Sequence, residues 1–318
     1  IIFSSRNFKK GFEYLLLNHM EEWDMSKVNV FRLVYVDFYS KNAVSMVEYY
    51  TNTMGYRISE EVDGVTYLSN ALDHHNIVIT PSDKKGIRRY GYQLDGNLSL
   101  EEVQEQLHVQ GISSTIKREA KPGISRLIEL RDPAGNTLEL FTEMEQTIVG
   151  FGTSGIVPHK LGHVAFYAKN FQKTIEFYRD ALGFNFTDKI GEAFANFLTC
   201  NTDHHTLNIV ASDETRLHHI AFQLKDASHQ FASSDILAKN GHPVLWGPSR
   251  HTAGHNIATY HHDPDQNVVE LYTDMDILIP ELGIFEPRPW HEELPLKPRV
   301  WESLSAWGTE FVVDLAKV

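Results

Sequence analysis

One phrase occurs twice in this chain: LRDPAGNTLELF at 130–141 and HHDPDQNVVELY at 261–272, 131 residues apart. In each copy an Asp-Pro turn feeds an alternating apolar strand with a carboxylate in its middle, Glu139 in the first and Glu270 in the second. A duplicated chain must fold as two matching halves, so this repeat narrows the architecture before any single element is assigned. It also poses a chemical question. A carboxylate buried in such a strand is costly unless something cationic meets it.

The repeat extends well beyond that phrase. FRLVYVDFYSKNAVSMVEYYTNTMGY (31–56) matches LGHVAFYAKNFQKTIEFYRDALGF (161–184), a short alternating strand running into a helix. Each helix is expected to end at a glycine, Gly55 or Gly183, where a C-terminal cap fits. LDHHNIVI (72–79) matches TDHHTLNIV (202–210), and RRYGYQL (88–94) matches HHIAFQL (218–224). A second helix follows in each half, at 98–111 and at 233–241, before the Asp-Pro turn and Glu strand close it. Strand–helix–strands therefore occurs twice per half, giving an α+β chain of four βαβββ units. Units that each leave one sheet face bare curl against a neighbour, so paired modules around a cavity are expected. The N-terminal domain is placed at 28–148 and the C-terminal, catalytic domain at 158–276. The Gly-rich VGFGTSGIVP (149–158) joins them. Residues 277–318, rich in Pro and Trp, read as an ordered arm, and 1–27 as a leader or extension.

A chain of 318 residues has room for two ordinary domains. A net charge of −13 argues against nucleic acid or an anionic membrane as partner. The single cysteine, Cys200, cannot form an internal disulfide, which suits a reducing cytoplasm. No apolar run reaches the length of a membrane-spanning helix, and the first residues are too weakly apolar for a signal peptide. Met25 follows Glu-Glu-Trp-Asp, residues whose codons can spell a ribosome-binding site; the expectation is that Met25 is the natural start and 1–24 a leader.

Equivalent positions in the two halves answer the chemical question. The C-terminal half has His163 where the other has Tyr35, His219 where it has Arg89, and Glu270 opposite Glu139. Two imidazoles and one carboxylate, each mid-strand and facing one cavity, make a facial triad with three open positions. That donor set suits non-haem Fe(II), with Mn(II) as the usual substitute. In the N-terminal half Arg89 can pair with Glu139, so a guanidinium takes the place of the metal. His204, His218, His261 and His262 are neighbours of the site, because adjacent strand residues face opposite ways.

With those residues, and GPSRHTAGHNIATYHHDPDQNVVELYT (247–273) as its most specific stretch, the chain resembles the type I extradiol ring-cleaving dioxygenases. These form the catechol 2,3-dioxygenase group of the vicinal oxygen chelate superfamily, whose fold is also called glyoxalase/bleomycin resistance-like. The resemblance covers about 28–290. It implies four βαβββ modules, iron in the C-terminal half, and a catechol chelated through both hydroxyls with O2 beside it. The product would be of the muconic semialdehyde type, and the assembly a homo-oligomer. It further implies that His205 contacts oxygen and moves a proton, and that His251 and Tyr260 hydrogen-bond the substrate oxygens. The 277–318 arm is expected to fence the site as a lid.

Departures from the family bear on the substrate. Ala165 stands where an Asn is usual, Phe197 where a ring-lining Trp is usual, and Trp246 where a basic residue is usual. These changes leave an apolar substrate pocket with Phe197 and Trp246 in it, suited to an alkyl, aryl or halogenated catechol or a hydroquinone-type ring over a carboxylated catechol; Arg250, also placed at the pocket, and Arg288 are candidate anion contacts. The alternatives are a non-oxidative relative, an isomerase or thiol transferase with a different ligand set, and a metal-free drug-binding protein of the same fold.

Overall fold

The structure is a computed structural model and describes residues 27–192, 194–279, 284–286 and 298–311. The stretch read as a leader, 1–24, lies outside the described residues. The first half supplies β1 (Val30–Ser40), β2 (Arg57–Val62), β3 (Val65–Ser69), β4 (Ile77–Pro81), β5 (Gly86–Leu94), β6 (Ser114–Lys121), β7 (Ile124–Arg131) and β8 (Thr137–Phe141). The second supplies β9 (Lys160–Ala168), β10 (Asn185–Ile190), β11 (Ala195–Thr199), β12 (Leu207–Ala211), β13 (Arg216–Gln223), β14 (Trp246–His251), β15 (Ile257–His262) and β16 (Val268–Thr273). Helices α1 (Ala43–Glu48), α2 (Leu100–Val109), α3 (Phe171–Glu176) and α4 (Ala227–Lys239) each follow the first strand of a unit. The four βαβββ units read from the sequence are all present.

The two sheets share one topology. The first runs β2-β3-β4-β1-β5-β8-β7-β6 and the second β10-β11-β12-β9-β13-β16-β15-β14, with further strands at its edges. Within each half the two units meet along an antiparallel pair, β1 with β5 and β9 with β13. Both first-unit helices run on into a π-helical turn, Tyr49–Thr53 and Phe177–Ala181. Gly55 and Gly183 follow with φ of +80° and +78°, the left-handed cap expected of them. The helix expected at 233–241 starts earlier, at Ala227, because the Asp226 side chain caps it by accepting from the His229 amide.

Alternation decides what each strand buries. On β9, Val164, Phe166 and Ala168 join a core that draws on both halves, and His163, Ala165 and Tyr167 take the other face. On β16, Val269 and Leu271 enter the same core, leaving Val268, Glu270 and Tyr272 opposite. The shared core is fastened across the halves by aromatic pairs, Tyr90 with Phe166 and Tyr50 with Phe222. Polar ties reinforce it. The Tyr178 hydroxyl donates to Asp132 at 3.1 Å, and the Tyr49 hydroxyl lies 2.6 Å from Nε2 of His261. His261 thus faces away from the site, as expected.

Residues of the C-terminal arm extend the second sheet at both ends. β17 (Ile277–Ile279) and β18 (Ile284–Glu286) form a small hairpin; β19 (Val300–Trp301) pairs with β10, and β20 (Ser305–Trp307) pairs with β14. The segment between β19 and β20 therefore runs from one edge of the curled sheet to the other. Asp188 on β10 anchors it, accepting from the Arg299 amide at 2.7 Å and the Trp301 indole at 2.8 Å.

The Asp-Pro turns are built alike. Asp132 Oδ1 accepts from the amides of Gly135 and Asn136, and Asp263 Oδ1 from the amide of Asn267. Inside the first half, Glu139 is met by more than Arg89, whose Nη1 lies 2.5 Å from Oε1. The Lys121 ammonium and the Tyr35 hydroxyl both donate to Oε2. Burial alone pushes the Glu139 carboxyl up, but Lys121 and Arg89 outweigh it and hold it below the ordinary range. Tyr35 fits because its cross-strand partner is Gly91; a Cβ there would come within 2.1 Å of the ring. His163 faces Ala221 instead.

Two outcomes follow from these buried carboxylates. Lys121→Met strands part of the Glu139 charge and is expected to cost about 3 kcal/mol in urea unfolding, with Lys121→Met/Glu139→Leu recovering most of it. Burial pushes the Asp263 carboxyl from its ordinary 3.8 up to about 7. The folded state then holds a proton the unfolded chain releases, so this stability is full below about pH 4 and is lost as pH rises to 7. Thermal melts of Asp263→Asn should show a flatter decline across that window than the parent.

Candidate metal centre

Three strands of the second sheet bring three donors to one point. His163 on β9, His219 on β13 and Glu270 on β16 are inward residues of three consecutive strands of the sheet, with β13 in the middle, and their ligand atoms all lie within 4.8 Å of one another. Nε2 of His163 is 3.1 Å from Nε2 of His219 and 3.1 Å from Oε2 of Glu270; His219 Nε2 is 3.0 Å from the same oxygen. All three side chains are buried. Burial lowers the His219 imidazole below its ordinary value, favouring the neutral ring with a lone pair to offer. Burial pushes Glu270 up, but His163 and His219 outweigh it and hold the carboxylate ionised. Two nitrogen lone pairs and a carboxylate oxygen converging in a dry site fit a divalent cation, and the set suits iron or manganese.

Residues around the donors fix their orientation. Asn256, also buried, donates from Nδ2 to Glu270 Oε1 at 2.8 Å, which leaves Oε2 turned to the histidines. Nothing in the alternation of the sequence singled out Asn256, since it sits in the turn between β14 and β15. The chain Asp188–His204–His205 is similar in kind. Asp188 Oδ2 lies 3.1 Å from His204 Nε2, and the two histidine Nδ1 atoms are 3.0 Å apart. In the neutral tautomers this makes His204 donate to the aspartate and accept from His205 Nδ1, so His205 Nε2 carries a bare lone pair. The first half repeats the arrangement as Glu60–His74–His75.

His205, His251 and Tyr260 cluster with the donors. The His205 ring centroid lies 4.3 Å from that of His163, and Tyr260 lies 5.5 Å from His219. Burial drives His205 well below its ordinary value and His251 down to about 4. Burial first, and the Glu270 charge second, push the Tyr260 phenol up. His251 Nδ1 is 3.2 Å from the Leu304 carbonyl, so that nitrogen carries the proton and Nε2 accepts from the Tyr260 hydroxyl at 2.9 Å.

A cavity of about 350 Å³ opens beside His219, lined chiefly by Ile190, Phe194, Phe197, Val210, Leu304 and Phe311. Phe197 is in its wall, as expected. Trp246 is not: it stacks on His251 with centroids 4.9 Å apart and donates to the carbonyls of Thr309 and Glu310. Arg250 is not either, because the His255 carbonyl and Asp274 hold its guanidinium away from the cavity. Arg288 lies outside the described residues. His218, set aside as facing away, does reach the cavity; a bulge in β13 between Leu217 and His219 breaks the alternation there.

Comparison with known proteins agrees with this build. Residues 160–271 match the model of the Glyoxalase/Bleomycin resistance protein/Dioxygenase superfamily. The chain is 32% identical over 124 residues to metapyrocatechase 2 of Cupriavidus necator, covering 39% of each protein. It is 29% identical over 203 residues to 3-methylcatechol 2,3-dioxygenase of Pseudomonas putida, covering 57% of this chain and 68% of that one. The chain thus spans about two-fifths of the first relative's length and two-thirds of the second's. The Mn(II)-bound glyoxalase of Novosphingobium aromaticivorans superimposes with a TM-score of 0.78 at 21% identity, covering 91% of this chain and 94% of that one, a likeness of fold. Residues 160–271 thus match a Glyoxalase/Bleomycin resistance protein/Dioxygenase superfamily domain, and catechol dioxygenases are among the proteins to which the chain is similar.

Proposed function

We propose that the protein is an extradiol dioxygenase that opens a catechol-type ring beside its two hydroxyls with O2, giving a muconic semialdehyde-type product. The observation that carries this reading is the clustering of His163, His219 and Glu270 with His205, His251 and Tyr260 beside an apolar cavity that His219 lines. His163, His219 and Glu270 would hold Fe(II), or Mn(II) in its place, which would supply the Lewis-acid and redox chemistry that catechol cleavage by O2 needs.

The chain's own residues supply the proton handling. Neutral His251 presents Nε2 as a base, and Tyr260 presents a phenol that stays protonated at neutral pH. Together they accept one catechol proton and donate a hydrogen bond, which favours a catechol monoanion. His205, neutral and with Nε2 bare, stands on the His163 side, where it can take up a proton and return it late in the reaction. Phe311, packed 5.4 Å from His251 and 5.3 Å from Tyr260, and Leu304 cover the pair, so the arm excludes water as a lid would. A glyoxalase-type isomerase of the same fold has no use for this His-Tyr-His set.

The test is reconstitution with Fe(II) under anaerobic conditions, followed by exposure of catechol mixtures to air. Yellow ring-opened product with stoichiometric O2 uptake is expected; no such product from any catechol or hydroquinone, despite bound iron, would sink the reading. His219→Ala should lose stoichiometric iron in metal analysis. His205→Ala should keep the iron and lose about 10²–10⁴-fold in turnover, the usual range for a proton-transfer group.

A further inference from the structure

Asp188 touches both the arm and the histidine pair beside the donors, and the proposed chemistry gives it no task. Its side chain is 5% exposed, yet both oxygens are met. Oδ1 accepts from the Arg299 amide at 2.7 Å. Oδ2 accepts from the Trp301 indole at 2.8 Å and lies 3.1 Å from His204 Nε2. With an N–H already aimed at each oxygen, this carboxyl has no place for a proton of its own, so His204 Nε2 supplies the hydrogen of the third contact. In the neutral pair His204 then accepts at Nδ1, and the hydrogen between the two Nδ1 atoms, 3.0 Å apart, belongs to His205. The lone pair of His205 is left at Nε2.

The first half repeats the two rings as His74 and His75, so their pairing is part of the fold. What differs is the carboxylate. Glu60, which meets His74, is 43% exposed, whereas Asp188 is buried and tied to the arm. Beside His75 stands Tyr35, with ring centroids 4.6 Å apart; beside His205 stands the donor His163 at 4.3 Å. The fixed carboxylate thus occurs in the half that carries the donor cluster. Gly254 shields the link between the rings. A Cβ there would come within 3.0 Å of His204 Nδ1 and 3.2 Å of His205 Nδ1, so backbone takes the space a bridging water would need.

We infer that Asp188 is a positioning residue for the proton-handling step, holding His205 through His204 in the tautomer that offers Nε2 as a base. Its use in catalysis rests on the ring-cleaving reading; the tautomer does not. Because the oxygen that meets His204 also meets Trp301, seating the arm and setting the imidazole share one atom.

The experiment reads the His205 tautomer by ¹⁵N NMR of histidine-labelled protein loaded with Zn(II), a diamagnetic stand-in for iron, with His205→Gln identifying the signals. In the parent, Nε2 should appear as a bare nitrogen and Nδ1 as a protonated one. In Asp188→Asn/Trp301→Phe the amide oxygen can keep the Arg299 amide while its NH2 donates to His204 Nε2, with no indole to oppose it. Both rings then reverse, and His205 Nε2 is protonated. Trp301→Phe alone should keep the parent tautomer. Loaded with Fe(II), the double variant should keep its iron and turn over about 10²-fold more slowly than Trp301→Phe. A parent with the proton on His205 Nε2, a double variant with the parent tautomer, or a reversed tautomer with undiminished turnover each overturns the assignment. The first of these needs no variant to fold. A parent that shows the expected tautomer and opens no catechol ring overturns the ring-cleaving reading instead.

Discussion

A carboxylate on the inner face of a curled sheet cannot be hydrated and cannot cheaply stay charged, so something must be built to receive it. Both halves of this protein meet that demand at one position, and they meet it differently. Around Glu139 the answer is three side chains, Arg89, Lys121 and Tyr35, which donate to both of its oxygens. Around Glu270 two imidazole nitrogens and one oxygen stand some 3 Å apart with no cation of their own to bring. Most of the surrounding structure follows from that second choice: Asn256 holding the outer oxygen, the buried His251–Tyr260 pair, and an arm laid across the opening.

The arm links the site to the edges of the sheet. Its strands β19 and β20 sit on opposite edges, and the residues between them supply Leu304 against His251. Asp188 serves two ends at once, anchoring Trp301 of the arm and fixing His204, which in turn fixes His205. Covering the cavity and orienting the imidazole beside the donors are therefore consequences of a single buried carboxylate.

How much of this the sequence disclosed depends on whether a residue obeys a period. His163, His219 and Glu270 lie on strands with clean alternation and have counterparts in the other half, so their common face was readable. The four units were readable for the same reason. Lys121 was missed because it ends an irregular edge strand whose burial pattern carries no alternation. Asn256 lies in a turn, and His218 reaches the cavity only through a bulge. Arg250 and Trp246 were placed in the pocket by likeness of position, but side chains in β14 are claimed by Asp274 and by the arm's carbonyls. Such claims belong to tertiary contacts, which no local pattern encodes. The same holds for the start of α4, where a single capping Asp226 decided the boundary.

The shared core has a further meaning for the half that lacks the donor cluster. Val164, Phe166, Val269 and Leu271, which stand directly behind the donor residues, are packed in the same cluster as Tyr50, Tyr90 and Tyr92 of the other half. Each strand therefore answers to two masters: its outward residues to the opposite half, its inward residues to its own cavity. In a duplicated chain only the first obligation is mutual. The inward face of the first copy is occupied by Arg89, Lys121 and Tyr35 around Glu139, while its outward face packs against the half that carries the donor cluster. The first half is the wall against which the donor strands of the second are held in register.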